Sequence, residues 1–152
     1  MVRDILISDF SEPLFQEAFK VYFAELGITE IKDWNGLFKE MDDEGDNKAY
    51  LRVTEDNTVV GFIQIKPITL FNWFFEEKLG FIREFWIAPA YRSQGHGTEL
   101  LRLAESYFAR KDIGKIILTT DTAEKFYEKN GYRKDRAFSA ANKDEVFVKD
   151  LG

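Results

Sequence analysis

Tyr91-Arg92-Ser93-Gln94-Gly95-His96-Gly97-Thr98 is the stretch that decides how this chain is read. An apolar run, Phe81 to Ile87, precedes it, followed by Ala88-Pro89-Ala90. A helix-like run, Glu99 to Arg110, follows it. Strand, glycine-bearing turn and helix start together make an anion site. The first N–H groups of a helix have no intrahelical partner, and the helix dipole favours negative charge there. Gly95 and Gly97 lack a Cβ, so the backbone can approach a phosphate closely or take a positive φ. Arg92 adds a positive charge at the mouth. The turn predicts a phosphorylated cofactor. The dinucleotide fingerprint needs a third glycine where this chain has Leu100, and the Walker loop needs a lysine that is absent.

A second stretch lies about thirty residues further on. Lys115-Ile116-Ile117-Leu118-Thr119 reads as a buried strand. It leads into Asp121-Thr122-Ala123-Glu124-Lys125-Phe126-Tyr127-Glu128-Lys129-Asn130-Gly131-Tyr132. Asp121 is expected to cap a short helix and Gly131 to end it in the left-handed conformation.

Arg92-Ser93-Gln94-Gly95-His96-Gly97 resembles the acyl-CoA loop of the GNAT superfamily of N-acetyltransferases, R/Q-x-x-G-x-G/A. The run from Ala123 to Tyr132 resembles that family's A-x-x-F-Y-E-x-x-G-F/Y signature. The resemblance covers roughly residues 48 to 150, and the first 45 fit only in helix pattern. It implies one mixed α/β (α+β) domain over 1–152, with a mostly antiparallel twisted sheet of about seven strands and about four helices. It also implies acetyl-CoA as cofactor. The pantetheine arm would lie along Phe85, Trp86 and Ile87, and the pyrophosphate on Arg92, Ser93, Gln94, Gly95, His96, Gly97 and Thr98. The family often has asparagine seven residues before the tyrosine; Thr120 stands there, so that contact departs from the pattern.

Composition narrows the chemistry. The 152 residues are 45% apolar and 16% aromatic, a one-domain chain able to bury a core and too apolar to be disordered. With no cysteine and His96 as the single histidine, disulfides, thiolate nucleophiles and multi-histidine metal sites are excluded. A Ser-His-Asp hydrolase would have to use His96, and no nucleophile elbow is present. His96, between two glycines, is expected to face solvent. A net charge of -6 argues against nucleic acid and suits a cationic substrate or simple solubility. No apolar run reaches membrane-spanning length, and Met1-Val2-Arg3-Asp4 does not open a signal peptide, so a cytoplasmic location is expected.

The remaining elements follow from periodicity. Val2 to Ile7 reads as a strand. Leu14, Phe15, Ala18, Phe19, Tyr22, Phe23 and Leu26 mark a helix entered at Pro13 and stopped by Gly27. Trp34, Leu37, Phe38 and Met41 mark a shorter helix capped by Asp33. Asp42 to Asn47 reads as a solvated acidic loop rather than a calcium loop. Tyr50 to Thr54 and Val59 to Lys66 form a hairpin around Glu55-Asp56-Asn57. The next strand is expected from about Leu79, with the aromatic stretch Phe71 to Phe75 lying before it or on a strand of its own. Two strands are expected after Tyr132, the last at Glu145 to Lys149.

Acetyl transfer to an amine needs a lone pair on nitrogen. A lysine-like amine is only roughly one part in two thousand deprotonated at pH 7. A carboxylate base assists, and the departing thiolate gains from an acid. Glu84, placed by alternation on a face with Ile82 and Trp86, is the candidate base. The alternative is an ion pair with Arg83, Arg52 or Lys66. Tyr127, on the resemblance, is the candidate acid, with core packing as its alternative. Trp34, Trp73 and Phe75, near acids, are the candidate contacts for a small cationic amine. They could equally be core or a homodimer surface. The expected function is an acyl-CoA N-acetyltransferase acting on a primary amine of a small molecule. A protein N-terminal or lysine acetyltransferase and a non-catalytic acyl-CoA-binding module are the alternatives.

Overall fold

The computed structural model describes residues 1–71 and 73–152, so Asn72 of the aromatic stretch lies outside the described residues. The chain runs β1 (Val2–Ile7), α1 (Pro13–Glu25), α2 (Trp34–Glu44), β2 (Lys48–Thr54), β3 (Val59–Phe71) and β4 (Glu76–Ile87). After a single 3-10 turn come α3 (His96–Arg110), β5 (Lys115–Thr120), α4 (Glu124–Lys129), β6 (Arg133–Lys134) and β7 (Glu145–Asp150). The seven strands form one sheet in the order β1-β2-β3-β4-β5-β7-β6. Every neighbouring pair is antiparallel except β4 and β5, as the expected mixed α/β architecture requires.

Local chemistry sets the helix boundaries. The Glu12 carboxylate accepts from the Leu14 N–H at 3.1 Å ahead of Pro13, whose fixed φ suits a first helical position. Gly27, at φ +79, closes α1, and the Ile28 N–H reaches back to the Phe23 carbonyl at 3.0 Å. Asp33 caps α2 through the Gly36 N–H at 2.9 Å.

Helix α2 runs on through Glu44, so the first half of the expected acidic loop is its last turn. All three of those acids are engaged, Asp43 with Lys39 at 2.7 Å. Asp42 accepts the Phe10 N–H at 2.9 Å, and Glu44 pairs with Arg83 and Lys66. The aromatic stretch is likewise no separate strand. It is the tip of the long β3–β4 hairpin, with Phe71 ending β3 and Glu76 opposite it starting β4.

The sheet separates two cores. On one face α1 and α2 bury a ring cluster of Phe10, Phe15, Phe19, Phe38 and Phe62, with edge-to-face contacts such as Phe10–Phe15 at 5.0 Å. On the other, α3 and α4 cover aliphatic residues including Ile63, Ile65, Leu100, Leu101, Ile116 and Leu118. A smaller cluster of Leu79, Ile117, Val146 and Val148 is partly covered by Phe138 and Ala140 from the β6–β7 connection.

Candidate active site

The site sits where β4 and β5 part. Their parallel pairing is confined to Gly80 with Ile116 and Phe81 with Ile117. Beyond Phe81, β4 still pairs with β3, but its other edge, residues 82–87, is paired with no strand among the described residues. The expected pantetheine contacts Phe85, Trp86 and Ile87 all lie along this open edge. Phe85 packs edge-on against Phe126 of α4, with centroids 5.9 Å apart.

Immediately after β4 the chain turns into α3. Ser93 and Gly95 take φ of +62 and +90, and Gly95 is the N-cap. It supplies no side-chain cap, while its carbonyl accepts from the Glu99 N–H at 3.1 Å. The amides of His96, Gly97 and Thr98 are therefore the unpaired first turn of a 15-residue helix, an anion site of the expected kind. Gly97 is helical. A Cβ there would make only ordinary contact, 3.4 Å from the Phe126 ring and 3.7 Å from Ile87, so packing within the chain does not by itself demand glycine.

Two side chains of the turn do other work than expected. Arg92 donates from Nε to the Ile87 carbonyl at 2.8 Å and pairs with Glu25 of α1 at 2.5 Å. The guanidinium braces α1 against the turn, and it holds the Glu25 carboxyl below the usual range. His96 is not a solvent-facing loop residue. It is half-buried in α3, its ring against Tyr91, with Nδ1 3.0 Å from an Arg52 nitrogen. Arginine only donates, so Nδ1 accepts and the proton of the neutral ring sits on Nε2. Arg52 also grips Asp4 through two bonds, at 2.8 and 3.0 Å, and Glu99 at 2.8 Å. Gln94 donates to the Ala90 carbonyl at 3.1 Å and closes the turn on itself.

Glu84 is placed by an irregularity that alternation cannot see. Gln64 faces Glu84, yet Ile65 faces Ile82, so Arg83 is an extra residue on β4. The bulge separates the expected face-mates. Trp86 joins the α1–α2 core with Glu84 above it on the same face, whereas Ile82 belongs to the α3 core. Among the described residues Glu84 has no ion-pair partner. Arg83 and Lys66 are taken by Glu44, and Arg52 by Asp4 and Glu99. What Glu84 receives is one hydrogen bond, from the Tyr22 hydroxyl at 2.8 Å. Burial raises its carboxyl above the ordinary range. The Tyr22 bond and the nearby Arg83 charge partly oppose that shift.

Tyr127 is buried in the α3–α4 core against Phe126, Tyr132 and Phe147, and burial pushes its phenol well up. The Tyr22 phenol, raised first by burial and then by Glu84, is raised further by Tyr127. Glu84 and Tyr22 thus meet at the gap on the α1–α2 face, while Tyr127 sits in the core on the other face. Thr120 is buried at the end of β5, and its hydroxyl accepts the Ala123 N–H at 3.1 Å. That bond starts α4, so the helix does not use Asp121 as its cap; Asp121 is exposed.

The three expected substrate contacts are not gathered here. Trp34 packs into the α1–α2 ring cluster, stacked on Phe38 at 5.9 Å. Trp73 and Phe75 stand at the hairpin tip, where Glu76 is roughly 25 Å along β4 from Glu84. Tyr22 was read from the sequence only as a member of a helical stripe. A phenol on a stripe of phenylalanines was the available signal, because a buried hydroxyl needs a partner. Among the described residues no cluster of acids and histidine could hold a metal, and no helix is long and apolar enough to cross a membrane.

Known proteins carry the same architecture. The chain is 26% identical over 99 residues to the uncharacterized N-acetyltransferase YhfO of Bacillus subtilis, covering 62% of this chain and 65% of that protein, so it spans just under two thirds of that relative's length. An acetyltransferase of the GNAT family from Staphylococcus aureus superposes with a TM-score of 0.74 over all of both chains, at 18% identity. A Clostridium acetobutylicum protein described as a predicted acetyltransferase, solved with acetyl-CoA, superposes at 0.79 over 93% of this chain and 96% of that one, also at 18% identity. The model of the acetyltransferase (GNAT) family matches residues 2–132 and so takes in the first 45 residues, where motifs gave nothing. With the parted strands and the glycine turn in place beneath that match, the chain belongs to the acetyltransferase (GNAT) family.

Proposed function

We propose that the protein is an acyl-CoA-dependent N-acetyltransferase that moves an acetyl group from acetyl-CoA to a primary amine by direct attack. The observation that carries this reading is Glu84, a half-buried carboxylate with no ion-pair partner among the described residues, held by Tyr22 beside the gap between β4 and β5. A structural ion pair is the ordinary reason for a partly buried acid, and that reason is absent here.

The steps follow from the residues. The amides of His96, Gly97 and Thr98 hold the pyrophosphate, and the open edge of β4 at Phe85, Trp86 and Ile87 hydrogen-bonds the pantetheine arm. This brings the thioester into the gap. Glu84, directly or through one water, takes the ammonium proton. The nitrogen lone pair attacks the thioester carbonyl carbon, forming the C–N bond. The carbonyl oxygen gains charge and then reforms the double bond as the C–S bond breaks. Tyr127 donates its phenolic proton to the departing thiolate, and the nitrogen, now part of the amide, releases its remaining extra proton, which returns to the phenolate through water. Burial keeps the phenol protonated at neutral pH.

Titration calorimetry with acetyl-CoA and CoA, with NADH and ATP as controls, tests the first half. Binding confined to the CoA compounds is expected, and its absence ends the proposal. Acetyl transfer by wild type and Glu84→Gln tests the second. A loss of roughly 10²- to 10⁴-fold in turnover with acetyl-CoA affinity retained is expected.

A further inference from the structure

The face that carries Glu84 also carries a cavity that neither the mechanism nor the cofactor uses. Residues Gln64, Lys66 and Ile68 of β3 alternate onto the same face. Gln64 lies opposite Glu84, and Lys66 reaches Glu44 of α2 on that side. Ile68 and Phe81 therefore share Glu84's face of the sheet. Neither α1 nor α2 covers this part. A cavity of about 200 Å³, open on one side to solvent, lies here between the sheet, with Ile68, Phe81, Ile117 and Val146, and the β6–β7 connection, with Phe138 and Ala140. Among the described residues no charged side chain lines it.

Its position matters as much as its lining. Phe81 and Ile117 are the last paired residues of β4 and β5, so the cavity ends where the gap begins. Thr119, in the cavity wall, lies on β5 beyond that last pair. Glu84 is three residues beyond Phe81, roughly 10 Å along the strand. A molecule seated in the cavity would project one end toward the carboxylate at the gap.

We propose that this cavity holds the body of the acceptor. The acceptor is then a primary amine bearing an aromatic or branched-alkyl group a few bonds from the nitrogen, rather than a polyamine. This rests on the acetyltransferase reading above. A diamine would bury its second ammonium among Ile68, Phe81, Ile117 and Phe138 with no counter-ion, which is costly, whereas a phenyl ring loses only its contact with water.

The test compares 4-phenylbutylamine, n-butylamine and putrescine as acceptors at saturating acetyl-CoA. Calorimetry of the same amines on the CoA-loaded protein gives a readout without turnover. The ring should raise kcat/KM and affinity roughly tenfold over butylamine, the lower end of what burying a phenylalanine-sized group gives, because the cavity is open on one side. Ala140→Trp, on the connecting segment, should fill the cavity. It should abolish the preference while acetyl-CoA affinity stays as in wild type. Phe138→Ala, which removes one wall, should reduce the preference without altering acetyl-CoA affinity. Acetyl-CoA binding with equal or better use of putrescine, or an undiminished preference in Ala140→Trp, overturns this inference and leaves the acetyltransferase reading standing. No acetyl-CoA binding removes both.

Discussion

Glu84 concentrates the single-residue chemistry. Its carboxyl is raised, and the sign of the consequence can be worked out. As a base it must be ionised, so kcat/KM should rise with pH through an apparent pKa above the ordinary carboxylate range. The Tyr22 hydrogen bond opposes the raising, so Tyr22→Phe should move that acidic limb to higher pH. A limb that stays put or moves down would disconnect Tyr22 from the base. The same shift bears on stability. A carboxyl whose folded pKa exceeds its unfolded pKa binds protons more readily when folded, so its contribution is lost as pH rises through that window. At neutral pH ionised Glu84 therefore weighs against the fold. Glu84→Gln, which can still accept from Tyr22, should melt no lower than wild type at pH 7 while losing turnover. A fall of several degrees in melting temperature would mark Glu84 as structural.

At the scale of elements, contacts with no sequence signature hold helices to the sheet. Gly80 on β4 lies under α3, and a Cβ there would sit 2.5 Å from the Phe108 ring. Gly80→Ala should destabilise the fold by about 1–3 kcal/mol through overpacking, read as a lower denaturant midpoint. Phe108→Leu in the same chain should recover part of that loss, and purely additive costs would count against the contact. A second brace joins α3, α4 and β7. Buried Glu105 accepts from Arg102, from the Tyr132 hydroxyl at 2.8 Å and from Lys149 at 3.2 Å, while Lys149 also donates to the Asn130 carbonyl. Helix ends were legible beforehand because capping is local: Glu12-Pro13, Asp33, Gly27 and Gly131 each act within a few residues. Glu84 was legible as a polar residue in an apolar strand. Its face relative to Ile82 was not, because the bulge at Arg83 depends on pairing with β3. The Tyr22 bond spans 62 positions, and the Arg52 and Glu105 clusters span comparable distances, so neither periodicity nor motif spacing could reveal them.

For the whole molecule, the fold superposes on a solved acetyltransferase over its full length, and the β3–β4 hairpin tip is where its surface is most apolar among the described residues. The β3–β4 hairpin extends past the body and ends in Phe71, Trp73, Phe74 and Phe75, exposed by 79, 98, 87 and 76%. At 150–250 Å² per ring this is roughly 600–800 Å² of aromatic surface, close to what one partner buries in a standard-size interface. Monomers seldom leave that much apolar surface in one place. Glu76 and Glu77 beside the tip, on a chain of net charge -6, disfavour an anionic lipid surface as the cover. A second copy meeting it tip to tip would bury rings against rings and leave the acids at the polar rim. The tip is roughly 25 Å along the strand from Glu84, so association there should leave the cofactor turn untouched. Sedimentation equilibrium on wild type should report a dimer at micromolar concentration, and Phe71→Ser with Trp73→Ser should shift it to monomer with unchanged acetyl-CoA affinity. A wild-type monomer at the highest soluble concentration would mean that the tip is covered by something other than this chain.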